Sequence, residues 1–370
     1  QMYPTGASIG LRGDVASLSE FRTVAFHSLR REKNGKLYQF MSADVGNAYL
    51  NAKWPEEMPS HYFECDQRLY DILPPDLQQQ IMANGGIGVA LIRMDRCLYG
   101  HPVAGHLWIQ LCTEFLLSIG WEPVHGTSGL FRKDESLVCV YVDDLAAAGP
   151  SDELAALWKG FGERFELREV GDCTEFLGIN VTRTPARDGH PASVAFDQKE
   201  YTDDLVEEYQ KLFPGAKVHA CATPMADDLY KHAADPPVDP DTRILKIVGR
   251  VLWLARCVRP DISFAVSRLG SLAGRWSPAC ATQLTRLVGY LSDSADQVLM
   301  YREPASWGEL TVELFTDASL VAPRSQSGTA LAVTSGDSVF ALLAWTSTRQ
   351  GLTADSTAAS EMIAAHTGIR

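Results

Sequence analysis

Two short apolar runs separated by two acids form the most informative stretch of the chain. Residues 136–149 read SLVCVYVDDLAAAG: Leu137 to Val142 is apolar, Asp143 and Asp144 interrupt, and a second apolar run ends at Gly149. This pattern predicts a β-hairpin turning at Asp143-Asp144. Upstream, QFMSADVGNAYLNA (39–52) leads Phe40, Met41 and Ala43 into Asp44, with Val45, Ala48, Tyr49 and Leu50 behind. That reads as a strand closed by a single acid. Val103, Leu107, Leu111 and Phe115, flanked by Trp108, Cys112 and Leu116, recur at helical spacing, and Gly120 is a natural stop. After the hairpin, Ser151 predicts an N-cap, and Asp152 and Glu153 suit a first helical turn. Leu154, Leu157, Trp158, Phe161 and Phe165 then stripe a second helix, and FLGINVTR (176–183) predicts a returning strand.

Strand, helix, hairpin, helix and strand in succession predict a split βαβ of the ferredoxin-like kind. In that topology the Asp44 strand lies beside the hairpin. Elsewhere, FRTVAFHSL (21–29) is apolar enough for a helix or a strand, and a basic turn follows at 30–36. Residues 55–90 are Pro-rich and predict an irregular insertion, 184–193 a loop, and 196–213 a helix. The acidic, Pro-rich 226–241 predicts a solvated linker. Three apolar-striped helices are expected over 242–292, broken at Pro260 and at Ser277-Pro278. From 309 the pattern alternates: ELTVELFTDAS, SGTALAVTS and VFALLAWTS predict strands, and STAASEMIAAH opens a helix. The fold class expected is α+β.

Composition adds bounds. At 370 residues the chain is long enough for two or more domains. Hydrophobic residues make up 46%, an ordinary globular share, and no apolar run is long enough to span a bilayer. The eight cysteines are scattered without close pairs, which predicts buried free thiols in a reducing compartment. None of the nine histidines, His101 and His106 included, falls in a spacing that suggests a ligand or a base. Net charge is −13, which opposes binding to phosphates, but residues 242–292 hold eight Lys and Arg against Asp261 alone. That segment is +7 and the remainder −20. Arg243, Lys246, Arg250, Arg256 and Arg259 are therefore candidates for a nucleic-acid footprint, a solvated helical face being the alternative.

The acids carry the candidate chemistry. Adjacent carboxylates repel each other, and a divalent cation offsets that repulsion. Two-metal phosphoryl transfer needs carboxylates converging on cations about 3.5–4 Å apart, which bind the attacking and leaving oxygens. Asp44, Asp143 and Asp144 supply such a set if their strands are neighbours. An Asp-Asp calcium site is the weaker reading, because no EF-hand spacing is present.

YVDD together with DVGNAYLN resembles the palm of reverse transcriptases. LYGHPVAGHLW, FLGINVTR, ATPM, VGRVLWLARCVRPDISFAV and LVGYLSD, in that order, resemble the copia-type retrotransposon Pol polyprotein from about residue 20 onward. The resemblance implies RNA-directed DNA polymerase activity with Mg²⁺ or Mn²⁺ held by Asp44, Asp143 and Asp144. It implies that Tyr49 closes the space a ribose 2′-OH would occupy, and that Val45, Leu98, Tyr99, Gly100 and Tyr141 line the nucleotide site. Pro102 and His106 replace a Lys and an Arg of the family, which puts contacts at that edge in doubt. Asp317 and Glu361 match the first Asp and the helical Glu of a ribonuclease H domain, and Ala359 replaces a second Glu.

The partners implied are RNA template, DNA primer, RNA–DNA hybrid and dNTPs, with no membrane. A second copy or other segments of the parent polyprotein are the protein partners it allows. The location implied is cytoplasmic, in a retrotransposon particle, with nuclear access open to the parent element. The expected divisions are partial fingers and palm (1–183), a thumb-like segment (184–225), a linker and basic helical connection (226–308) and the start of a ribonuclease H-like domain (309–370). Because the chain begins with Gln1 and stops at Arg370, it is expected to be an excised fragment. A triphosphate clamp is expected to be missing, and the nuclease incomplete and inactive. The alternative function is a catalytically inactive or domesticated remnant that binds nucleic acid or protein.

Overall fold

The computed structural model describes residues 15–226, 242–320 and 324–369. Helix α1 (Leu18–His27) precedes β1 (Gln39–Val45) and the single turn α2 (Ala48–Asn51). Then come β2 (Tyr62–Glu64), α3 (Gln67–Ile72), α4 (Pro75–Ala83), β3 (Leu91–Arg93) and α5 (Ala104–Ser118). Strands β4 (Glu122–Pro123), β5 (Leu130–Lys133), β6 (Ser136–Tyr141) and β7 (Asp144–Gly149) run into α6 (Ser151–Arg164) and β8 (Leu167–Asp172). They are followed by β9 (Glu175–Phe176), β10 (Ile179–Thr184), β11 (Ser193–Asp197) and α7 (Lys199–Leu212). The rest is α8 (Thr242–Cys257), α9 (Ser263–Ser271), α10 (Pro278–Asp293), β12 (Leu299–Arg302), β13 (Thr311–Ser319), β14 (Gln326–Ser335), β15 (Ser338–Arg349) and α11 (Thr357–Ile369). The protein is a mixed α/β chain with several sheets.

A six-stranded sheet has the order β4-β5-β6-β7-β1-β8. Counting only β1, β6, β7 and β8 as first to fourth, the order is second, third, first, fourth, that of a βαββαβ unit with β4 and β5 added at one edge. The expected neighbour relation therefore holds, since β1 lies beside the hairpin strand β7. The closing strand differs from expectation: it is β8, not residues 176–183. Leu177 and Gly178 both have positive φ, 53° and 71°, so the FLGINVTR segment folds back on itself as a tight hairpin of β9 and β10. Those strands join a second sheet, β12-β11-β10-β9.

The chain divides into two compact units, and the division passes through β1, β7 and β8. The first takes in 43–145 and 152–170 together with 15–17. Its core is built where α5 and α6 bury Leu107, Trp108, Cys112 and Leu116 and Leu154, Leu157, Trp158 and Phe161. Phe115 lies edge-on to Phe161 at 4.9 Å and to Phe165 at 5.3 Å, as two amphipathic stripes would place them. Gly120 takes φ 84° two residues past α5, the expected stop. Residues 55–90 are not irregular. Asp66 caps α3 by accepting from Leu69 N–H at 2.8 Å, Pro75 opens α4, and β2 pairs with β3. Pro74 and Pro75 are helix-starting signals rather than breakers.

The second unit holds 18–42, 146–151 and the described residues from 171 onward. Phe21 stacks on Phe176 at 4.3 Å and meets Phe196 edge-on, and α1 is thus a helix with a buried aromatic face. The three expected helices are α8, α9 and α10, with Ser277 capping α10 by accepting from Cys280 N–H. The helix expected over 196–213 starts only at Lys199, because 193–197 is strand β11. Strands β13, β14 and β15 form an antiparallel sheet, with α11 packed against β13 and β14. The expected linker falls almost wholly on 227–241, outside the described residues, as does the start of the chain.

Seven of the eight cysteines are buried, and all eight are free. Burial pushes Cys112 and Cys173 up to about 12, well away from reactive thiolates. No helix among the described residues is long and apolar enough to cross a membrane.

Candidate active site

The hairpin turns one residue earlier than expected. Val142 and Asp143 form the turn, and Asp144 is already the first residue of β7. Val142 has φ 56°, a left-handed conformation that costs a β-branched residue about 1–2 kcal/mol. A positive φ at the first turn position suits a type II′ turn, where glycine is usual. Two hydrogen bonds hold the strained turn. The indole N–H of Trp108 donates to the Val142 carbonyl at 2.6 Å, and Val45 N–H donates to the Asp143 carbonyl at 2.8 Å.

The second bond brings the end of β1 to the turn, close enough for the charge of Asp143 to act on Asp44. Asp44 is held above the usual carboxylate range, first by burial and then by the charge of Asp143. Arg168 opposes the rise, and Glu169 and Glu166 add to it. Among the described residues no three His, Cys, Asp or Glu side chains gather as a metal-binding group. Asp143 is the acid whose charge acts on Asp44, and Asp144, the next residue, begins β7 beside β1. A Mg²⁺ ion commonly takes only one or two protein carboxylates and fills its remaining positions with water and substrate phosphates. Two mutually repelling, partly buried carboxylates fit that requirement.

Tyrosines surround the pair. Tyr49, on α2, and Tyr99 approach with ring centroids 4.6 Å apart. Burial raises the pKa of both, and the Asp143 charge adds to it, with Tyr141 contributing at Tyr49. Leu98, Tyr99 and Gly100 are exposed on the open side. Val45 is buried and its N–H is spent on Asp143, so it ties the strands together rather than offering a contact.

Sequence reasoning missed the contribution of β8. Gly46 N–H donates to the Glu166 carbonyl at 2.8 Å, and a Cβ on Gly46 would sit 3.0 Å from Glu166 Cδ and 3.2 Å from Arg168 Nε. Glycine at 46 lets these side chains lie against the end of β1. Arg168 pairs with Glu166 at 3.0 Å, and its charge acts on Asp44. The histidines were also underestimated. His101 Nε2 lies 3.1 Å from His61 Nδ1, and Trp54 packs on both rings.

The family described as Reverse transcriptase (RNA-dependent DNA polymerase) matches residues 40–227, a span containing Asp44, Tyr49, Tyr99, Asp143 and Arg168. This chain belongs to that family. It is 27% identical over 282 residues to the retrovirus-related Pol polyprotein from transposon RE2 of Arabidopsis thaliana, covering 74% of this chain and 17% of that protein. It is 26% identical over 229 residues to a putative transposon Ty5-1 protein of Saccharomyces cerevisiae, covering 60% of this chain and 70% of that protein. The Pol polyprotein from transposon RE1 of Arabidopsis thaliana matches at 26% over 282 residues. The chain thus spans about a sixth of the length of the Arabidopsis polyproteins. A retrotransposon Pol segment of the reverse transcriptase family is what these likenesses establish.

The basic stretch lies beyond the residues matched to the reverse transcriptase family, and several of its cations are paired within the protein. Arg259 is only 3% exposed and is bound to Asp261 at 2.8 Å and to the carbonyl and hydroxyl of Ser294, both at 2.8 Å. Arg250 and Lys246 pair with Glu208 on α7, the latter at 2.5 Å, and Arg243 lies over the ring of Phe213. Arg256 is exposed. A periodic count of Lys and Arg could not reveal that a neighbouring helix supplies the acid.

Asp261 is the clearest pH-sensitive element there. Burial alone raises its pKa, but hydrogen bonds and charge from Arg259, with Tyr290 at 2.8 Å, outweigh burial and leave it lowered. Its stabilising contribution is full above the ordinary carboxylate range and is lost as pH falls through the lowered folded value. Thermal melts at pH 7 and at about pH 3 are expected to show a smaller acid-induced drop in Asp261→Asn than in the parent. An equal drop would place the acid sensitivity elsewhere.

Asp317 is exposed on β13, opposite Gly328, and Glu361 is half-buried on α11. No metal-binding group forms at either position among the described residues.

Proposed function

We propose that this chain carries out RNA-directed DNA synthesis, adding deoxynucleotides to a primer 3′-OH on an RNA template. The observation that carries the reading is the pair Asp44 and Asp143, set among Tyr49, Tyr99 and Tyr141 within the residues matched to the reverse transcriptase family. Asp44 and Asp143 would hold Mg²⁺ or Mn²⁺. When bound, the metal lowers the cost of developing charge on the attacking and leaving oxygens. The chain's own part is positioning, since phosphoryl transfer asks little covalent chemistry of the protein. Tyr49 occludes the space of a 2′-OH, and Leu98, Tyr99 and Gly100 border the nucleotide.

The palm in this reading is β1, α5, β6, β7, α6 and β8. Residues 184–225 serve as thumb, 226–308 as linker and connection, and 309–370 as the ribonuclease H-like portion with Asp317 and Glu361. Primer–template, RNA–DNA hybrid and a retrotransposon particle are the setting this implies. A remnant without catalysis is the competing reading, favoured by the pairing of Arg250, Lys246 and Arg259, which removes much of the expected nucleic-acid footprint. Incorporation of dTTP on poly(rA)/oligo(dT) separates the two. Incorporation that requires Mg²⁺ and stops with EDTA is expected, and a folded chain with no incorporation would overturn the reading in favour of the remnant.

A further inference from the structure

Tyr49 is only half enclosed by the core. One side packs against the cluster of Ala52, Cys97, Val103 and Ala104, which leaves its ring free to rotate unless the other side is also covered. That cover is Tyr99. The rings lie 4.6 Å apart at 40°. An ordinary surface tyrosine, 54% exposed as this one is, would be mobile. Here the backbone restrains it. His101 N–H donates to the Leu98 carbonyl at 3.1 Å, and Gly100 takes φ 89°, the arrangement of a type II turn that needs glycine at its third position. The turn is tied down on its far side by the 3.1 Å contact of His101 with His61, and by Val103 N–H on His101 Nδ1 at 3.4 Å. Tyr99 is thus carried on an anchored turn and laid across the open face of Tyr49.

We infer that Tyr99 is a positioning residue that sets the ring of Tyr49 and thereby the preference of this chain for deoxy- over ribonucleotides. The inference rests on the polymerase reading, because it assigns to Tyr49 the contact with the sugar. A ring that can swing leaves room for a 2′-OH; a ring held from both sides does not. The ring of Tyr99 supplies the hold, so phenylalanine should serve in its place and leucine should not.

The test measures kcat/KM for dTTP and for UTP on poly(rA)/oligo(dT) with the parent chain, Tyr99→Leu and Tyr99→Phe. Tyr99→Leu is expected to lower the dTTP/UTP ratio about tenfold, the size of effect that shape discrimination in a pocket commonly gives, while Tyr99→Phe retains the parent ratio. Loss of rate with an unchanged ratio in Tyr99→Leu would overturn the inference and leave the polymerase reading standing. A parent chain that is folded but inactive would instead sink the polymerase reading. The positioning is then decided by NMR of ring-labelled tyrosine. A Tyr49 ring signal shifted or broadened in Tyr99→Leu, but not in Tyr99→Phe, supports it; identical Tyr49 signals in all three chains overturn it. A Tyr99→Leu chain that failed to fold would pass the question to Tyr99→Met, with the same two readouts.

Discussion

Asp143→Asn is expected to lower dTTP incorporation by about a thousandfold or more, with an unchanged melting profile. The figure follows from losing several kcal/mol of charge stabilisation at the reacting oxygens, at about 1.4 kcal/mol per tenfold. Folding should survive because the structural work at this position is done by the Asp143 carbonyl, which accepts from Val45, and not by its carboxylate. The substitution also removes a like charge from beside Asp44, where burial and repulsion already disfavour ionisation. Activity and stability should therefore separate. A variant that kept a tenth of the parent rate would sink the claim that Asp143 holds the metal, and one that failed to melt cooperatively would make the loss uninformative. Asp144→Asn, measured alongside, compares the two acids: a smaller loss is expected from a residue that begins β7.

Arg22→Met is expected to destabilise the second unit by about 3–5 kcal/mol, read from urea unfolding. Arg22 is 5% exposed. Its guanidinium donates to the carbonyls of Leu343 at 3.1 Å, Cys257 at 2.8 Å and Arg256, and lies 3.9 Å from the centre of the Trp345 ring. Two of those carbonyls are the last of α8, which no helical N–H can satisfy. Trp345 donates to a third, that of Ala255, at 2.8 Å. Burial opposes the charge and lowers the Arg22 pKa, so an apolar side chain of similar length gains some desolvation. Methionine cannot donate, however, and would leave buried acceptors unpaired. A change under about 1 kcal/mol would mean that desolvation cancels the hydrogen bonds.

Much of this architecture was legible from pattern alone, for reasons particular to each element. The α5 and α6 stripes, the Asp44 strand beside the hairpin and the three C-terminal-half helices all follow from one buried face at a fixed period. Elements failed to declare themselves where a backbone conformation, not a side chain, made the decision. Nothing in Val142 announces a left-handed residue, and an acidic pair is the more usual turn, so the hairpin was placed one residue late. Leu177-Gly178 reads as the middle of an apolar strand until both residues adopt positive φ. Strand β8 alternates no apolar face, being mostly exposed, and its role at the site comes from proximity to Gly46. Arg22 sits in an apolar run that gives no hint of the carbonyls it meets, up to 321 residues away. Asp44 and Asp143 stood out as acids at strand ends, Tyr49 and Tyr99 only through the resemblance, and in the structure the charge of Asp143 acts on the other three.

The position of β8 has a consequence for synthesis on the ribosome. Asp44 and the cationic Arg168 are 124 residues apart in the chain. At ordinary elongation rates, roughly 6–25 s separate their emergence. During that interval Asp143 also appears, so both acids are synthesised before Arg168. Strand β1 gains its last neighbour only when residues 167–172 leave the tunnel. The surroundings of Asp44 are thus completed only by the last strand of its sheet to be synthesised.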